Sequence, residues 1–84
     1  MKSIHFTKHS LIQCVERGTN KEEIIEAIRT GSKEPAKLNR TMFTSNFAYN
    51  NFWNKTFYAI KQVSAVVSIE EKEIIVITIY TYYF

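Results

Sequence analysis

The spacing of apolar residues along this chain changes once, near Gly31. Before it they recur at helical intervals, and after it they fall into strand-like runs. Thr7 suits an N-cap, and Leu11, Ile12 and Val15 supply an apolar stripe for a first helix over Lys8–Arg17. Gly18 stands where a left-handed C-cap is wanted. Thr19 with Glu22, or Asn20 with Glu23, forms a capping box for a second helix. That helix runs to about Arg29, with Ile24, Ile25 and Ile28 turned inward, and Gly31 closes it. The short connection makes the two helices near neighbours. Residues 4–6 read as a short strand or an extended lead-in.

Beyond Gly31, Pro35 and the polar stretch to Asn39 read as a loop or sheet edge. Segments 40–47 and 49–53 predict a strand with a turn near Asn50 and Asn51, and 55–69 predicts a long strand. A charged turn at Glu70–Glu73 follows. Residues 74–84 read IIVITIYTYYF, a β-branched and aromatic run without charge, Gly or Pro, too short to cross a bilayer as a helix. If the turn centres on Glu71 and Lys72, opposed residues sum to 143. One face then carries Lys61, Val63, Ala65 and Val67 with Val76, Thr78, Tyr80 and Tyr82. The other carries Ile60, Gln62, Ser64 and Val66 with Ile75, Ile77 and Ile79, and this isoleucine face is expected to receive the helices. A slip of one residue would reverse the assignment.

Eighty-four residues bound the chain to a single domain, 1–84, with one core. A 45% hydrophobic, 14% aromatic composition excludes a disordered chain. Cys14 is the only cysteine, so no internal disulfide forms, and with no signal peptide a reducing cytoplasm is expected. The net charge of +3 permits an anionic partner such as RNA, but equally describes an ordinary basic surface.

No phosphate-binding loop, dinucleotide fingerprint, nucleophile elbow or metal-ligand spacing is present, and no cofactor is implied. His5 and His9 are four apart, but zinc would need further ligands. His9, Gln13, Glu16 and Arg17 share an edge of the first helix. They are either a solvated face or a histidine acid–base group with a phosphate-binding arginine. Lys61 interrupts an apolar strand, either snorkelling to an edge or holding an ammonium beside Tyr80 and Tyr82 to stabilise transition-state charge. Trp53 and its aromatic neighbours between Phe43 and Tyr58 are interleaved with Arg40 and Lys55. They are either core and dimer surface, or a platform that stacks bases and holds phosphates.

The order Phe6-x-x-His9, Glu16-Arg17-Gly18, Tyr58-Ala59-Ile60-Lys61-Gln62-Val63 and Val76-x-Thr78-x-Tyr80 resembles a family of small bacterial domains of unknown function. The resemblance covers nearly the whole chain. That family looks like a distant relative of the RelE and BrnT toxins, in a fold group shared with barnase and the colicin ribonucleases. It implies an α+β fold: an N-terminal helical hairpin packed on a three- to four-stranded antiparallel sheet, with RNA cleavage on the open face. By position, His9, Arg17, Lys61 and Tyr80 match the family's polar sites. The function this implies is a metal-independent endoribonuclease of a toxin–antitoxin system, with RNA and an antitoxin protein as partners. Its alternative is a non-enzymatic protein-interaction or RNA-binding module. The bare, uncharged final strand adds a homodimer to the expected partners.

Overall fold

The computed structural model describes residues 2–84. The elements are β1 (Ser3–Phe6), α1 (Lys8–Arg17), α2 (Lys21–Thr30), β2 (Ser32–Ala36), β3 (Arg40–Trp53), β4 (Thr56–Ile69) and β5 (Glu73–Tyr83). They build one five-stranded sheet in the order β1-β5-β4-β3-β2, with both helices on one face. The α+β class and the helical hairpin agree with expectation, but the sheet does not. It has a fifth strand, and it is mixed, because β1 pairs parallel to β5. Residues 32–36, where the sequence pattern suits a loop or a sheet edge, form the edge strand β2.

Thr7 caps α1 by accepting from the Ser10 amide at 3.1 Å, and its hydroxyl donates to Val76 O, fastening the cap to β5. Gly18 ends α1 at φ 75°. A Cβ there would lie 2.5 Å from the Tyr83 hydroxyl and 2.6 Å from the Trp53 ring, so packing and backbone both require glycine. Asn20, not Thr19, caps α2, accepting from the Glu23 amide at 2.9 Å. Gly31 ends α2 in extended backbone, and close approach to Thr44 O is what excludes a side chain there.

The chain does not turn at Asn50 and Asn51. β3 passes through them with a bulge between Ala48 and Asn51 and with Asn50 at φ 46°. The hairpin turn is at Asn54 and Lys55, both at positive φ, as a two-residue primed turn demands.

The β4–β5 register sums to 143 near the turn, as Ile69↔Ile74 and Val67↔Val76 show. Ile77 is then an extra residue, and from Val66↔Thr78 onward the sum is 144. The bulge sets Val76 and Ile79 on one face with Lys61, Val63, Ala65 and Val67. That face takes the helices and holds the core with Cys14, Ile24, Ile28 and Phe43, so the expected isoleucine face is reversed. Val63, Ala65 and Val67 present a low, even surface on which α2 seats Ile24, Ala27 and Ile28; Ile25 is half-buried.

Helix α1 is also turned over. Its buried residues are Ser10, Gln13 and Cys14, while Leu11, Ile12 and Val15 are 37%, 49% and 82% exposed. The cause is the neighbour it packs on. β1 covers β5 only as far as Val76, and beyond that α1 lies along the bare edge. The Ile79 amide donates to Gln13 Oε1 at 2.9 Å, Arg17 donates to Ile79 O, and Thr81 Oγ1 and the Tyr83 hydroxyl donate to Arg17 O. An edge of unpaired backbone groups needs polar partners, so the polar stripe turns inward. β5 is therefore interior between β1 and β4, and the homodimer expected from its bare edge loses that basis. At the other edge β2 carries Lys33 and Pro35, both of which discourage strand addition. No helix among the described residues is long and apolar enough to cross a membrane.

Candidate functional site

The reversed register separates the residues that the sequence grouped. Lys61 pairs with Tyr83 on the helix side and is 6% exposed. Its ammonium donates to Gly18 O at 2.8 Å, pairs with Glu23 at 2.7 Å, and lies 5.4 Å from the Tyr49 ring centroid. Glu23 is fixed in turn by the Thr19 hydroxyl at 2.8 Å. Lys61 thus clamps the loop between the helices onto the sheet. Tyr80 pairs with Ser64 on the opposite face, so a Lys61–Tyr80 site does not form. Trp53 stacks on Tyr83 at 5.0 Å, against Gly18, and its ring borders the cleft that also holds Arg17 and Tyr80. Burial raises the Tyr83 phenol above its ordinary value, helped by Tyr49 and opposed by the Thr81 hydroxyl. Lys55 stands at the hairpin tip, and His9 is exposed on α1, two helical turns or about 10 Å from Glu16.

Four of the expected residues do gather: Arg17, Trp53 and Tyr80 about a cleft at the β5 margin, and Arg40 with Tyr80 on the face turned away from the helices. Arg17 reaches past the β5 edge so that its guanidinium carbon lies 5.5 Å from the Tyr80 ring centroid. Arg17 and Tyr80 line a cleft of about 360 Å³ with Glu16 and Tyr82. On its other side Tyr80 closes a second hollow of about 240 Å³ with Lys37, Arg40 and Thr78. Tyr80 and Tyr82 are 40% and 52% exposed. As alternate residues of one strand they stand about 7 Å apart on the same face.

Between these tyrosines and the β2 edge lies a polar hollow of about 320 Å³, lined by Glu34, Thr44, Gln62, Ser64 and Tyr82 among others. Thr44 and Ser64 share a hydrogen bond of 2.8 Å across β3 and β4, so one hydroxyl hydrogen of the pair remains to be donated. Among the described residues, neither the Glu34 carboxylate nor the Gln62 amide has a hydrogen-bond or ion-pair partner. The face therefore offers stacking surfaces, two guanidinium groups at its margins, and uncommitted donors and acceptors on its floor. Glu34, Thr44, Gln62 and Ser64 were not among the sequence candidates. The strict alternation Gln62-Val63-Ser64-Ala65 carried the signal, since polar and apolar residues then belong to opposite faces.

No family model, curated protein or solved structure matches this chain.

Proposed function

We propose that the protein is an RNA-binding domain that holds single-stranded RNA across the helix-free face of its sheet. The observation that carries this reading is the exposed Tyr80–Tyr82 pair, with Arg17 over the first ring and Arg40 in the separate hollow that Tyr80 also lines. Two rings about 7 Å apart suit successive bases of an extended strand. Each stack contributes about 1–3 kcal/mol, tolerant of base identity. Arg17 and Arg40 supply phosphate contacts, and the polar floor can meet base edges or ribose hydroxyls. Fluorescence anisotropy with short RNA oligomers at low salt tests it. Tyr80→Ala and Tyr82→Ala should each weaken binding by about fivefold or more, and Arg40→Ala should lower the salt dependence. Absence of RNA binding at low salt, with the protein folded, removes the reading.

One observation favours cleavage as well: Glu16, Arg17 and Tyr80 share one cleft. A carboxylate can accept the ribose 2′-hydroxyl proton, a guanidinium can stabilise phosphorane charge, and a phenol can protonate the leaving 5′-oxygen. This is the chemistry of a metal-independent endoribonuclease, with Glu16 in the place first given to His9. An antitoxin would then act by covering the cleft. RNA fragments ending in cyclic phosphate, formed in EDTA and lost in Glu16→Gln and Tyr80→Phe, would support it. Intact RNA under those conditions leaves binding alone.

A further inference from the structure

The inverted helix leaves an apolar face without a partner. The inward stripe of α1, Ser10, Gln13, Cys14 and Arg17, is occupied by the core and the β5 edge. Leu11, Ile12 and Val15 point outward, and their exposure contributes nothing to this fold. Residues of this kind at helical spacing on an exposed helix make a docking face.

The charges around that face identify what fits it. Lys8 and Glu16 each lie four residues from Ile12, one on either side, and both are exposed. The row Lys8–Ile12–Glu16 follows one ridge of the helix, with Leu11 and Val15 on the next. The pattern is complementary to itself in one orientation. In an antiparallel pair centred on Ile12, Lys8 of each copy faces Glu16 of the other; in a parallel pair like charges would meet. We propose that α1 is a dimer interface, joining two copies of this chain antiparallel about a two-fold axis through Ile12. A two-fold contact uses the same patch on both subunits, as this one does. Ten residues make a helix about 15 Å long, so the contact is small and the dimer forms reversibly with concentration.

Sedimentation equilibrium from low micromolar to millimolar protein tests this. The mass should rise from 9.9 kDa towards twice that value. Ile12→Lys and Val15→Lys should leave monomer throughout, and Lys8→Glu should weaken association by about tenfold by placing like charges opposite each other. The double variant Lys8→Glu with Glu16→Lys should restore it. All four substitutions are on the exposed side of the helix, and circular dichroism checks that each variant folds. A mass that stays at 9.9 kDa over the whole range overturns the proposal. So does a dimer that ignores both Ile12→Lys and the charge exchange.

Discussion

Lys61 shows how one residue can look like chemistry and act as structure. A lysine in an apolar strand invites a catalytic reading, and from sequence its face depended on a register that Ile77 shifts by one. Its ammonium is used by Glu23 and Gly18 O. Removing one partner of a buried pair leaves the other unpaired, at a cost of about 3–5 kcal/mol. Glu23 keeps some solvent access and a bond from Thr19, which reduces that figure. Lys61→Ala should therefore lower stability by about 2–3 kcal/mol in urea unfolding. It should leave RNA affinity unchanged under folding conditions. A selective loss of RNA affinity with stability intact would return Lys61 to the site. Arg17 and Tyr80 do meet in one cleft, but Tyr80 stands on the face opposite the Lys61 it was expected to accompany. The side on which Lys61 stands was not legible, because a single strand pattern does not state which face is covered.

At the scale of elements, the caps and breaks were legible and the facing of α1 was not. Thr7 and Gly18 are local signals, a side-chain cap for backbone donors and a left-handed C-cap, whereas Gly31 sits in extended backbone and is required by its close approach to Thr44 O. Amphipathicity assumes that a helix packs on an apolar surface, and α1 packs instead on a strand edge. The Asn54–Lys55 turn was missed for a similar reason: Asn50-Asn51 looked like the turn, but a bulge absorbs Asn50 within β3. Gln13→Leu measures how much the edge cover contributes. It leaves the Ile79 amide unpaired inside a tight contact, so a loss of about 1–3 kcal/mol is expected. Hydrogen exchange at that amide should accelerate more than exchange in β3 and β4. Uniform acceleration would mean that Gln13 acts through packing alone.

The molecule measures 42 × 24 × 23 Å, lengthened by the β3–β4 arm, and the ring cluster of Trp53, Tyr49 and Tyr83 joins that arm to the helical layer. The cluster makes stability depend on alkaline pH. The Tyr83 phenol is held above its ordinary value near 10, and the Cys14 thiol above its ordinary value near 9, in both cases chiefly by burial. For Cys14, nearby Lys21 opposes that rise and Glu23 adds to it. The unfolded chain then releases these protons first. Stability should hold below about pH 9 and fall as pH rises through the folded-state values, because the native state binds more protons there. Unfolding midpoints across this range should show the decline. Tyr83→Phe should flatten the part above about pH 10, at a neutral-pH cost of about 1 kcal/mol for its bond to Arg17 O. A decline unchanged in that variant would place the sensitive group elsewhere.

The side-chain seal on β5 also bears on solubility. Natural sheets usually place their gatekeepers in the edge strand itself, as Lys33 and Pro35 do in β2. Beyond Glu73, β5 has none, and the uncharged β-branched sequence that follows is of the kind that stacks into fibrils when exposed. Its protection comes from elsewhere in the same chain, from a helix more than sixty positions away in sequence. The final strand therefore remains hazardous until the first helix has docked, and lesions in α1 would show themselves as aggregation of a segment they do not touch in sequence.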